Sequence, residues 1–215
     1  MRAVLFDLDG TLIDSGALYM ECYRRAFEAE LDELPSWEEM MQRRPASERY
    51  FLLDWLGPEL GHRVHERVCE AYDALAGELL GGFYEGVPEM LAELRARGVP
   101  MGLVTGKSRR AFAATCRCLE LERWFNVVVL EDDVPAPKPD PSGLKKALAA
   151  MGAAPGEAVY VGDTPMDVEA AQRAGMIGAS ALWSRGPTDR ARVAKKLPPD
   201  VWALHAPSEL VTRIR

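Results

Sequence analysis

Asp7 and Asp9 flank a single leucine where the first apolar run of the chain ends, and Gly10 and Thr11 follow at once. Two carboxylates that close repel each other, and one is ordinarily forced to hold a proton. Either both are solvated in a turn, which Asp-Gly favours, or a cation sits between them. Similar groups recur further along. Thr105 follows "MGLV" and precedes Gly106-Lys107-Ser108; Lys138 lies in "PAPKPDP"; Asp163 follows "AVYVG", with Asp167 four residues later. Each has an ordinary explanation by itself. Thr105 could cap a helix, Lys138 could belong to a stiff proline-rich linker, and Thr164-Pro165-Met166-Asp167 fits a capping box with proline at the first helical position.

Taken together they form a chemical set. A carboxylate can attack phosphorus, but anion must then approach anion. Mg2+, held by a few carboxylates and the substrate phosphate, removes that repulsion. A hydroxyl and an ammonium can hold the phosphoryl oxygens as charge redistributes. The set supplies a nucleophile, metal ligands, a hydroxyl donor and a fixed cation.

Such groups must be brought to one place. Ala3–Phe6 is a short continuous apolar run, the mark of a buried parallel strand. Strands are also predicted at "VPMGLVT", Phe125–Leu130, Ala158–Val161, Ile177–Leu182 and Val201–Leu204. Helices are predicted at Val87–Arg97, Ser108–Leu119, Pro141–Met151, Pro165–Ala174, Thr188–Lys196 and Ser208–Ile214. This alternation predicts an α/β fold with a Rossmann-like parallel sheet covered on both faces. Ligands of such a sheet bind beyond the carboxyl ends of its strands, where Asp7, Thr105, Lys138 and Asp163 all fall. Ser15 to about Leu80 carries only helical periodicity, including the series Val64, Val68, Ala71 and Leu75. It is therefore expected to be an inserted helical cap, residues 15–82, in a core of residues 1–14 and 83–215.

A net charge of −7 over 215 residues argues against a broad nucleic-acid footprint. No run approaches membrane-spanning length. Cys22, Cys69, Cys116 and Cys118 are too few and too scattered for a disulfide framework, and lack the spacing of a zinc motif. A reducing, cytoplasmic setting is expected.

The four segments resemble the motifs of the haloacid dehalogenase-like hydrolases: "FDLDGT" the first, "VTG" the second, "PKPDP" the third and "VGDTPMD" the fourth. The likeness spans essentially the whole chain, including the position and size of the helical insertion. It implies that Asp7 is the nucleophile and that Asp9 protonates the leaving oxygen and later activates water. It implies that Thr105 and Lys138 hold the phosphoryl group. Mg2+ would be bound by Asp7, the backbone carbonyl of Asp9, and Asp163, with Asp167 supporting the metal shell or Lys138. Dehalogenases of this family lack the second aspartate of the first motif, so Asp9 argues for phosphoryl transfer. Its beta-phosphoglucomutases usually carry Val where Thr11 stands and Glu-Asp where Gly162-Asp163 stands. The chain is thus most similar to the phosphoglycolate phosphatase and pyrophosphatase branch. The expected substrate is a small phosphorylated metabolite, and the expected state a monomer or homodimer. A beta-phosphoglucomutase-like phosphotransferase and a non-catalytic module binding phosphorylated ligands are the alternatives.

Substrate contacts are expected from Thr11 and Gly106 in the core and from Arg43 and Arg44 in the cap, where a guanidinium could read a carboxylate or second phosphate. A solvated surface pair is the competing reading of the two arginines. His62 and His65 share a helix face; without a third ligand they are expected to be surface residues. Asp14–Gly16 and Gly81-Gly82 are expected hinges.

Overall fold

The computed structural model describes residues 1–31, 33–42 and 47–214. Its elements run β1 (Ala3–Phe6), β2 (Ile13–Asp14), α1 (Gly16–Glu30), α2 (Trp37–Gln42), α3 (Glu48–Leu56), α4 (Pro58–Leu79) and β3 (Gly82–Phe83). They continue with α5 (Val87–Ala96), β4 (Met101–Val104), α6 (Arg109–Cys118), β5 (Val127–Val129), α7 (Ser142–Met151) and β6 (Ala158–Gly162). The last are α8 (Pro165–Ala174), β7 (Ile177–Ala181), α9 (Pro187–Ala194), β8 (Trp202–Leu204) and α10 (Pro207–Arg213).

Six strands form one parallel sheet in the order β5-β4-β1-β6-β7-β8. β1 explains why both faces are covered. Val4 and Phe6 point into a cluster with Met90, Leu94 and Leu210 of α5 and α10. Ala3 and Leu5, one residue out of phase, point into the opposite cluster with Leu144, Leu148 and Ala170 of α7 and α8. An apolar strand with no polar face can be satisfied only in this way. Register then aligns the strand ends: Phe6 stands opposite both Leu103 of β4 and Val161 of β6. Asp7, Thr105 and Asp163 therefore emerge on the same edge. The chain also departs to opposite sides of β1, so the crevice beside it is a topological switch point.

The four helices α1–α4 lie between β2 and β3, which pair antiparallel, Ile13 opposite Phe83 and Asp14 opposite Gly82. Both expected hinge segments thus meet in one short ribbon, tightened by the Gly81 N–H, which donates to the Asp14 carbonyl at 2.9 Å. The helices have a core of their own: Leu18, Phe27, Leu52, Val64 and Tyr72 pack together and reach Ala111 and Ala114 of α6. Among the described residues no helix is long and apolar enough to cross a membrane.

Candidate active site

Asp7 directly follows β1, and its N–H donates to the Val161 carbonyl at 2.8 Å, which fixes the backbone at the sheet edge. Its Oδ1 accepts a hydrogen bond from Lys138 Nζ at 2.7 Å. The same Nζ donates to Asp167 Oδ1 at 2.6 Å and to the Tyr160 hydroxyl at 3.1 Å. Burial opposes the charge on Lys138, but Asp167 and Asp7 hold its pKa well above the usual lysine range.

Asp167 serves two purposes at once. Its Oδ2 accepts from the N–H and hydroxyl of Thr164, at 2.9 and 2.6 Å, and so closes the capping box of α8. Its Oδ1 meets Lys138. Burial opposes its ionisation, yet Lys138 and Thr164 hold its pKa below the usual carboxylate range. Gly162 makes the placement possible, since a Cβ there would lie 2.3 Å from the Asp167 Cγ.

Asp163 accepts from Thr11 Oγ1 at 3.3 Å and faces the Arg185 guanidinium at 3.5 Å. Gly10, at φ +78°, passes so close that a Cβ would be 2.8 Å from an Asp163 oxygen. Thr11 is fully buried, so its hydroxyl supports Asp163. Thr105 is buried beside the cleft; its N–H donates to Val129 and its Oγ1 accepts from the Lys107 N–H at 3.3 Å. Gly106 also lines the cleft.

Asp9 stands apart from the other three aspartates. Its carboxylate accepts from Lys107 Nζ at 2.9 and 3.0 Å and from Ser15 Oγ at 2.6 Å. The Asp9 side chain is thus engaged away from the Asp7, Asp163 and Asp167 cluster. Lys107 is fully buried, lies over the rings of Tyr19 and Tyr72, and donates to the Tyr19 hydroxyl at 2.6 Å. Burial opposes its charge, but Asp9 pulls its pKa above the usual lysine range.

Ligand oxygens of Asp7, Asp163 and Asp167 all lie within 4.8 Å of one another. Burial, against the pull of Lys138, pushes Asp7 up to about 8; burial and the neighbouring Asp167 push Asp163 up to about 7. Carboxyls that retain protons at neutral pH lack sufficient positive charge. An all-oxygen donor set calling for a cation suits Mg2+. The residues present therefore fit the ion, chiefly through Asp7 and Asp163, because both oxygens of Asp167 are already engaged.

A cleft of about 290 Å³ opens over these groups. Core residues Asp7, Asp9, Thr105, Lys107, Lys138 and Asp163 form one wall, and Tyr19, Tyr23, Ser47 and Glu48 the other. Arg43 and Arg44 lie outside the described residues.

The whole pattern can be compared with known proteins. A family model described as haloacid dehalogenase-like hydrolase matches residues 4–180. The chain belongs to this family. Among relatives of this hydrolase, the pyrophosphatase PpaX of Bacillus cereus (strain AH820) is 31% identical over 198 residues, covering 86% of this chain and 84% of the relative. Among solved structures, CbbY from Rhodobacter sphaeroides in complex with phosphate is 25% identical with a TM-score of 0.76, covering 84% of this chain and 85% of the other. A hydrolase from Pseudomonas syringae, 24% identical, shares the fold with a TM-score of 0.80 over 100% of this chain and 98% of its own.

Three residues of the hydrolase escaped the sequence reading as parts of the site. Tyr160 is the one polar side chain in "AVYVG", and nothing local marks its hydroxyl as a partner of Lys138. Arg185 lies just past β7, where the strand-end argument, applied to that strand, would have found it. Lys107 stands two residues after Thr105, and nothing local in the sequence marks Asp9 as its partner. One expectation is corrected: His65 is not a surface residue. His62 is exposed, whereas the His65 side chain is only 15% exposed and turns inward among Glu48, Cys69 and Glu131.

Proposed function

We propose that the protein is a Mg2+-dependent phosphatase that hydrolyses a small phosphorylated metabolite, phosphoglycolate- or pyrophosphate-like, through an aspartyl-phosphate on Asp7. The observation that carries this reading is the convergence of Asp7, Lys138 and Asp163 at one sheet edge, with Asp9 alongside. An Asp7 oxygen forms a bond to phosphorus as the bond from phosphorus to the leaving oxygen breaks, and Asp9 delivers a proton to that oxygen. Asp9 then takes a proton from water, whose oxygen attacks the phosphorus and frees inorganic phosphate and Asp7. Lys138 neutralises the Asp7 side and, with Thr105, holds the phosphoryl oxygens. Asp167 and Tyr160 keep the Lys138 ammonium in place. Mg2+, when bound by Asp7 and Asp163, screens the charge between carboxylate and phosphate.

Residues 15–82 act in this reading as a cap over the core of residues 1–14 and 83–215. A cap of this kind excludes water and adds substrate contacts, and the small cleft favours a small substrate. The placement of Asp167 against Gly162 favours hydrolysis over a mutase, because a glutamate at 162 would collide with the carboxylate that holds Lys138. Free thiols at Cys22 and Cys69 accord with a cytoplasmic location.

The test is release of inorganic phosphate from a panel containing phosphoglycolate, pyrophosphate, nucleoside monophosphates and hexose phosphates, with Mg2+ and with chelator. Asp7→Asn should lower turnover by several orders of magnitude while the fold is retained. Near-normal turnover of a folded Asp7→Asn protein would overturn the mechanism. Conversion of hexose 1-phosphate to hexose 6-phosphate without phosphate release would favour the mutase.

A further inference from the structure

Away from the aspartates, Glu48, His65 and Cys69 bring ligand atoms within 4.8 Å of one another, and Glu131 borders His65. His65 and Cys69 are one turn apart on α4 and both face inward. Glu48 opens α3, and Glu131 begins the turn after β5. His65 Nε2 lies 3.5 Å from Glu131 Oε1, 3.6 Å from Cys69 Sγ and 3.9 Å from Glu48 Oε2.

Cys69 Sγ meets His65 Nε2 and Ser108 Oγ at 3.6 Å, and Glu48 accepts from the Tyr19 hydroxyl and, at 3.2 Å, from the Ser108 N–H, but hydrogen bonding does not account for the approach of His65 to two carboxylates. One ring nitrogen carries one proton and serves one acceptor well. The oxygen distances exceed the roughly 2.7–3.2 Å of an N–H···O bond. The separations of His65 from Glu131 and Cys69, 3.5 and 3.6 Å, are instead close to those of atoms sharing an ion, and Glu48 stands farther off at 3.9 Å. Zinc bonds of about 2.0–2.1 Å to nitrogen, about 2.0–2.2 Å to oxygen and about 2.3 Å to sulfur place tetrahedral neighbours about 3.4 Å (N and O) and about 3.6 Å (N and S) apart.

Glu131 points the same way independently. It is 2% exposed, and its Oε1 accepts no hydrogen bond among the described residues. Its Oε2, by contrast, accepts from Ser47 Oγ at 2.5 Å and from the Arg49 N–H at 3.1 Å. The carboxylate is thus braced with one oxygen aimed at His65.

We propose that Glu48, His65 and Cys69, with the Glu131 carboxylate beside His65, bind a zinc-class divalent transition metal ion, at a site distinct from the Mg2+ site and bridging the helical layer to the sheet. The mixed nitrogen, sulfur and oxygen set selects against Mg2+ and Ca2+, which take oxygen ligands. Glu48, His65 and Cys69 come from the helices between β2 and β3, and Glu131 from the far side of the contact. The ion fastens these helices to the core, and Glu48 itself lines the cleft. Bound metal therefore holds the cleft closed and slows turnover; the slowing, though not the binding, rests on the cap reading.

The test uses the full chain in saturating Mg2+. Co2+ should bind at one equivalent, with a thiolate-to-cobalt charge-transfer band and the intense visible bands of tetrahedral cobalt. Cys69→Ser should remove the charge-transfer band while Asp163→Asn keeps it. Zn2+ affinity, measured by competition with a chromogenic chelator, should fall at least about tenfold in Cys69→Ser, His65→Ala and Glu131→Gln. Glu131→Gln retains an amide oxygen for Ser47 and Arg49, so it tests the negative charge beside His65 without removing the brace. Zn2+ should slow phosphate release by wild type more than by Cys69→Ser. A missing thiolate band in wild type, or Zn2+ affinity unchanged in all three ligand variants, would overturn the site. Binding without any slowing would overturn the closure alone.

Discussion

Raising the pH of the metal-free protein should weaken its fold, and the aspartate cluster sets the size of the loss. In the fold Asp7 keeps its proton up to about 8 and Asp163 up to about 7, against 3.8 for an unperturbed aspartate. A carboxyl raised in this way contributes stability that is fully present below its unfolded pKa and is lost as pH rises through its folded one. Between about pH 6 and 7, both groups are largely protonated in the fold and ionised in the unfolded chain. Each then removes up to about 1.4 kcal/mol per pH unit, and between about pH 7 and 8 Asp7 continues alone. Mutual repulsion staggers the two losses, giving about 2–4 kcal/mol from about pH 6 to 8.5. For a chain of this size that corresponds to about 5–15 °C in Tm. His65, pushed up to about 12, adds a decline of the same sign. The informative quantity is therefore the difference between wild type and Asp7→Asn/Asp163→Asn. Thermal unfolding of both proteins in chelator, across that pH range, should show the steeper fall in wild type. Mg2+ should raise the wild-type Tm more at the alkaline end, because the cation binds the ionised carboxylates. Parallel pH profiles for the two proteins would refute the reasoning.

Other perturbations probe the remaining supports. Gly162→Ala places a methyl group against Asp167; it should cost about 1–3 kcal/mol in denaturant unfolding, and kcat/KM should fall at least about tenfold as Lys138 loses its brace. Lys107→Met removes a buried cation from Asp9; the usual cost of about 3–5 kcal/mol should fall to about 2–3 because Asp9 is partly exposed and keeps Ser15. Adding Asp9→Asn should recover part of that loss, and a strictly additive double-mutant cycle would deny the pairing. Arg43→Ala or Arg44→Ala should lower kcat/KM about tenfold or more on the best natural substrate and much less on a small aryl phosphate; equal effects on both substrates would place specificity elsewhere.

What was legible in the sequence followed from periodicity and strand ends. Ala3–Phe6 has no polar face, so it had to be a covered parallel strand, and the groups beyond it and its neighbours had to share an edge. The partners of Lys107 and His65 were not legible, because both arise where helices cross the sheet edge. On α4 the series Val64, Val68, Ala71 and Leu75 describes one edge of the buried face. The actual face includes Cys69, Tyr72 and Ala76, while Ala71 is only half-buried. That rotation carries His65 toward Glu131 and away from solvent. Glu131 is far off in sequence and carries no local mark of burial; it is held by Ser47 and Arg49 across the interface.

The ribbon of β2 and β3 has a consequence for how such a chain can change. With Ile13 beside Phe83 and Asp14 beside Gly82, the four helices are the loop of a hairpin whose ends stay in hydrogen-bonding contact. The polypeptide leaves the sheet and returns at adjacent points, so the length and design of the excursion do not alter strand order or register. A tight turn joining the two strands would leave the β1 to β4 crossover intact and bare the apolar side of α6, where Ala111 and Ala114 now lie beneath the helices, together with Lys107 and Glu131. The excursion is accordingly a replaceable module. Grafting a different helical segment between the same two strands, shaped to meet α6, would exchange the helical wall of the cleft while leaving the residues at the sheet edge unchanged.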